Sequence, residues 1–167
     1  MNFEDVVSVL ARSFSLELKI VQDATVFEVA GDDGSTKVRI LLQDVSEHKL
    51  MLMSADLGEA PPEGRERLFQ TMLEANNMYS GTAGATLALV PASGIARLQR
   101  YVSSDDFAND VIGHVKPFVE TALLWSRLIA DYRPSADPSG DSLGETSGDS
   151  LGEWKTQGTE SFHMIHV

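Results

Sequence analysis

Apolar residues in the first fifteen positions recur at helical spacing: Phe3, Val6, Val7, Leu10, Ala11 and Phe14, with Asn2 placed to cap. After a bridging stretch, SLELKIVQD, the period changes to two. Residues 25–30 read as a strand, Gly31-Asp-Asp-Gly34 as a turn, and 37–43 as a second strand with Val38, Ile40 and Leu42 on one face. Residues 49–55 read as a third, with Met51, Met53 and Ala55 on one face and Leu50 and Leu52 on the other. Two apolar faces are expected of a strand buried on both sides. Pro61-Pro62 interrupts the pattern. Residues 63–79 then predict a helix with Leu68, Met72, Ala75 and Tyr79 along one stripe and Phe69, Leu73 and Asn76 beside it. A hairpin follows, 85–90 and 95–102, joined by Pro91-Ala-Ser-Gly94. Ser104 is placed to cap a long helix whose apolar face is Val111, Val115, Phe118, Ala122, Trp125 and Ile129. Asp105, Asp106 and Asp110 lie near its positive end, and Pro117 within it predicts a kink. The order α-β-β-β-α-β-β-α indicates an α+β fold, a twisted antiparallel sheet covered by helices.

The pattern divides the chain into a domain over residues 1–133 and a different segment over 134–167. The second holds one of the 13 Lys and Arg but six of the 25 Asp and Glu, and repeats Ser-Gly-Asp-Ser-Leu-Gly-Glu at 139–145 and 147–153. Two copies are too few for a solenoid. The composition is that of a flexible acidic Gly/Ser-rich linker. It ends in an apolar, β-prone run, Phe162 to Val167, whose alternation would suit a strand docking on the domain's own sheet edge or groove and imitating a bound polypeptide.

Charge narrows the partners. A net charge of −12 with no basic stripe repels phosphate backbones and anionic lipid, so neither nucleic acid nor membrane is an expected partner. The absence of cysteine excludes disulfides and thiolate metal sites. Glu4 and Asp5 stand where a secretory signal needs basic residues, and the apolar runs are far shorter than the ~20 residues of a membrane span. A soluble cytoplasmic protein is expected.

Chemistry is hard to find. Gly81-Thr-Ala-Gly84 lacks the lysine of a phosphate loop and follows a helix to open a strand, the reverse of the order that loop requires. It reads as a hinge: Gly81 ending the helix in a left-handed conformation, Gly84 admitting the chain to the sheet. Nucleotide binding and hydrolysis are not expected. His163 and His166 offer two nitrogens with no third ligand nearby, and no Gly-x-Ser-x-Gly elbow is present. No catalytic residue, metal site or cofactor is assigned.

Taken in order and spacing, Leu73-Glu-Ala-Asn76, the Gly81–Gly84 turn, the strand Ala85-Thr-Leu-Ala-Leu89, and Phe118-Val-Glu-Thr-Ala122 with Trp125 resemble the class I type III secretion chaperones of the Tir chaperone (CesT) family, over about residues 3–132. The resemblance implies a small acidic cytoplasmic homodimer that binds the unfolded N-terminal segment of a secreted effector and is not an enzyme. It places Leu68, Met72, Ala75 and Tyr79 at the dimer interface. Flexible thioethers suit a surface that accepts varied side chains. Met51 and Met53 beside Val38 and Ile40 are therefore the expected effector groove, bordered by Phe3, Val7 and Leu10. Two other readings are open: a regulatory or structural dimer of similar fold that binds a folded partner, and an enzyme of unrecognised type.

Overall fold

A computed structural model describes residues 2–132 together with His163 and Met164; the acidic repeat and the rest of the tail lie outside the described residues. Helix α1 (Phe3–Phe14) starts at a reciprocal cap. The Asn2 side chain accepts the Asp5 N–H at 2.8 Å, and the Asp5 carboxylate accepts the Asn2 N–H at 3.1 Å. Beyond it the chain reverses at Gln22-Asp23, both at positive φ, and Val21 and Ala24 exchange backbone hydrogen bonds of 2.8 and 3.1 Å. Two central residues with positive φ define the turn that matches strand twist, and it launches β1 (Ala24–Ala30). Strands β2 (Lys37–Val45) and β3 (Leu50–Glu59) follow as an antiparallel meander. Helix α2 (Arg65–Asn76) leads to the hairpin of β4 (Thr86–Val90) and β5 (Ile95–Ser103). The five strands lie in the order β4-β5-β3-β2-β1, all antiparallel, so β3 is central. A two-residue strand, β6 (His163–Met164), adds outside β1.

The expected element order is found, with one difference at the end. The single long helix is two: α3 (Ser104–Asn109), capped by Ser103, and α4 (Val111–Ala130). Asp110 separates them with φ −148° and ψ 69°, and its carboxylate accepts the Gly113 N–H at 2.8 Å. A short acid that bonds the backbone ahead of it starts a helix better than it continues one. Helix α4 runs on through Pro117 as one helix.

Alternation places Phe27 and Val29 of β1, Val38, Ile40 and Leu42 of β2, Met51, Met53, Ala55 and Leu57 of β3, and Ala96 and Leu98 of β5 in one core with the buried residues of α1, α2 and α4. The opposite face carries no helix among the described residues. Register aligns Val26, Leu41, Ser54, Gln99 and Thr86 across that face in one row and Gln43, Leu52 and Tyr101 in the next.

The first hairpin is tied to α4. The Asp33 carboxylate accepts from the backbone N–H and hydroxyl of Thr36 and from the Ser35 N–H, and lies 3.1 Å from Arg127. Those bonds, the Thr36 N–H foremost, lower its pKa from 3.8 to about 2. A carboxylate depressed by folding contributes stability in full above its unfolded value and loses it as pH falls through the folded one. Asp33→Asn should therefore lower stability at neutral pH and flatten its decline between about pH 4 and pH 2. Urea melts at stepped pH check this; identical slopes in variant and wild type would refute it.

Candidate partner-binding surfaces

The turn between α2 and β4 carries the most specific geometry in the molecule. The Asn76 side chain donates to the Leu87 carbonyl at 3.0 Å and accepts the Leu87 N–H at 2.8 Å. One amide thus satisfies both backbone groups of a β4 residue, as a neighbouring strand would. Gly81 does not take the left-handed conformation expected of it. Positive φ falls instead on Met78 and Tyr79 (both 55°), Ala83 (50°) and Gly84 (81°). Gly81 is small for another reason: a Cβ there would sit 2.8 Å from that of Ala75. Its carbonyl accepts the Trp125 indole N–H at 2.8 Å, which fastens the turn to α4. The hinge reading holds, with Gly84 as the residue that needs conformational freedom and Gly81 as the close-packed one.

The residues expected at a dimer interface separate. Leu68 and Met72 are buried within their own chain, Ala75 is half-buried and Tyr79 is exposed. Helix α2 turns its Leu68/Met72 stripe inward and leaves Leu73 71% exposed. Met78, at 87%, and Leu89 of β4 are exposed as well. The seven residues expected to form a groove, Phe3, Val7, Leu10, Val38, Ile40, Met51 and Met53, are all buried in the core, because α1 and α4 cover that sheet face. Period two revealed that this face is apolar, but not that the chain's own helices cover it.

What the surface offers is elsewhere. On the helix-free face Val26 and Tyr101 are exposed, and Leu41 and Leu52 half-buried. Beside β1 the segment 17–21 diverges after the Val21–Ala24 bridge and leaves an open groove of about 360 Å³ lined by Glu17, Lys19, Val21, Ala24, Thr25 and Val26. The Thr25 hydroxyl, buried at this edge, has no hydrogen-bond partner among the described residues. Sequence reasoning passed over these residues; the signal was Val26, the apolar residue out of phase with Phe27 and Val29. Among the described residues no cluster of three metal-ligating side chains occurs, and no helix is long and apolar enough to cross a membrane. His166, half of the His163/His166 pair, lies outside the described residues.

The chain is thus an α+β domain, an antiparallel sheet covered on one face with a helix-to-strand turn locked by an asparagine. The Tir chaperone protein (CesT) family model matches residues 21–125, and the chain belongs to that family. Among solved structures, it is similar to a chain of the HopA1–SchA chaperone–effector complex at 15% identity and TM-score 0.57, over 78% of this chain and 94% of that one. It is similar also to a chain of the ExsC–ExsE complex at 16% identity and TM-score 0.58, over 79% and 93% respectively. None of the curated proteins matches it in sequence.

Proposed function

We propose that this chain is a non-catalytic type III secretion chaperone that binds, as a homodimer, the unfolded N-terminal segment of a secreted effector. Membership of the Tir chaperone family carries the reading, and the likeness in fold to a chain of the HopA1–SchA chaperone–effector complex supports it. The surface is consistent with it, presenting separated exposed apolar side chains and an open sheet edge. An extended polypeptide binds by laying apolar anchors on such patches and by adding strands to such edges. Because ordering it costs ~1–2 kcal/mol per residue of backbone, affinity must be gathered over a long wrapped path.

The test is capture from a host that carries a type III system. The full chain should retain one secreted protein through its N-terminal segment, with that segment showing no cooperative fold of its own. Recovery only of folded complexes, or turnover of a small molecule, would displace the reading. Raised salt should weaken capture only modestly, since screening acts on charge and not on buried apolar area.

For the homodimer, the apolar surface available at the end of α2 is Leu73, Met78 and Tyr79, with Leu89 on the adjoining strand. Leu73→Glu combined with Tyr79→Glu places two charges on that surface and should convert a dimer to monomers without unfolding it, because both side chains are exposed in the single chain. Sedimentation equilibrium reads the mass; a dimer of unchanged mass would remove this surface from the interface.

A further inference from the structure

We propose that the C-terminal segment around His163–Met164 is a tethered occupant of the outer edge of β1, holding a place that an incoming effector strand takes; its regulatory meaning rests on the chaperone reading above. The two edges of the sheet are finished differently. At β4 the Asn76 side chain bonds both the N–H and the carbonyl of Leu87, so that edge is capped at this residue by an amide. At β1 the closure is by backbone. Val21 covers Ala24, and β6 covers the far end, with Met164 opposite Val29 and His163 opposite Ala30 in antiparallel register.

Between these two closures lie Thr25, Val26, Phe27 and Glu28, which have no strand outside them among the described residues. Thr25 and Val26 line the groove bounded by Glu17, Lys19 and Val21. Exposed strand edges recruit other strands, and this one has both an apolar side chain at its mouth, Val26, and a buried hydroxyl, Thr25, without a partner among the described residues. The site is therefore half filled. A two-residue strand makes few ladder bonds, so alone it would not persist. It persists through its tether. Thirty residues of Gly/Ser-rich sequence separate Tyr132 from His163. A coil of that length spans about 30 Å, which keeps the segment at an effective concentration of order 1 mM. Such an occupant shields the edge from indiscriminate pairing and yields to a strand that pairs along all of Thr25–Ala30.

The test uses the full chain and its His163→Pro variant. Even-numbered residues of β1 direct their backbone groups outward, as Ala24 does to Val21, so His163 opposite Ala30 is the residue whose N–H joins the ladder; proline there removes that N–H and restricts the backbone of the pairing strand. The probe is a labelled synthetic peptide of residues 159–167, Thr-Glu-Ser-Phe-His-Met-Ile-His-Val. Vacating the edge raises the competent fraction, so the variant should bind the probe roughly tenfold more tightly than the wild-type chain. Amide exchange within β1 should be faster in the variant and slow again when the probe is added. Equal probe affinity for the two proteins, or no saturable binding to either, overturns the proposal, as does unchanged exchange in β1.

A third arm separates this idea from the chaperone reading. An effector segment captured as described above should bind the variant more tightly than the wild type. Equal binding, with the probe results as expected, overturns competition and leaves the chaperone intact. If no secreted polypeptide binds either protein while the probe results hold, the chaperone reading fails and the occupancy stands.

Discussion

Met53→Asp should abolish folding rather than effector binding alone. Met53 is fully buried on the central strand, flanked in register by Leu42 and Arg100, on the sheet face over which α4 packs. A carboxyl placed there is cut off from water, and the register neighbour Arg100 offsets only part of the cost of charging it. Full burial raises a carboxyl pKa by up to 3–5 units, and at about 1.4 kcal/mol per unit the penalty is ~4–7 kcal/mol. Removing the thioether from a packed site costs a further ~2–5 kcal/mol. Together these are comparable to the ~5–15 kcal/mol that holds a domain of this kind together. The expected result is loss of the cooperative thermal transition. Met53→Leu, nearly volume-conserving, should cost less than about 1.5 kcal/mol. Tyr101→Asp, on the helix-free face and 57% exposed, should shift stability by no more than about 0.5 kcal/mol. A folded Met53→Asp protein with a normal transition would mean that this face opens, as a groove does.

That contrast marks where the sequence was legible and where it stopped. Alternation located Val38, Ile40, Met51 and Met53 on one face and the helical period located Phe3, Val7 and Leu10, because burial is written into each element separately. Which element covers which is a tertiary fact, and no period reports it; the same seven residues could line a groove or fill a core. The α2 stripes meet the same limit: two adjoining apolar stripes imply two contacts, but not which of them is with the chain itself. The break at Asp110 was partly legible, since an aspartate ahead of Val-Ile-Gly is a capping residue as well as a charge at a helix start. The role of Gly81 was not, because the clash it avoids is with Ala75, six positions back.

The order of motifs around Leu73-Glu-Ala-Asn76 was legible as a resemblance, and the structure supplies its physics at Asn76. Asn76→Ala should cost about 2–4 kcal/mol, since it leaves the Leu87 N–H and carbonyl without their partners at a half-buried site and each unsatisfied group costs ~1–3 kcal/mol, offset in part by water. Asn76→Asp separates the two bonds. The introduced carboxylate can still accept the Leu87 N–H, but its second oxygen faces the Leu87 carbonyl where Asn76 donates. At neutral pH this variant should be at least as damaged as Asn76→Ala. Protonation restores a donor in nearly the original geometry, so folding raises the pKa of the introduced carboxyl above its unfolded value of about 3.9. A group whose folded pKa is raised binds its proton more tightly in the native state. The damage is therefore complete above the folded pKa and shrinks as pH falls through it toward the unfolded one. Urea denaturation of the two variants and the wild type from pH 7 to pH 4 reads this directly: the deficit of Asn76→Asp relative to wild type should narrow, and that of Asn76→Ala should not. Equal, pH-independent deficits would show that the side chain fills space at the end of α2 and does not stand in for a strand along β4.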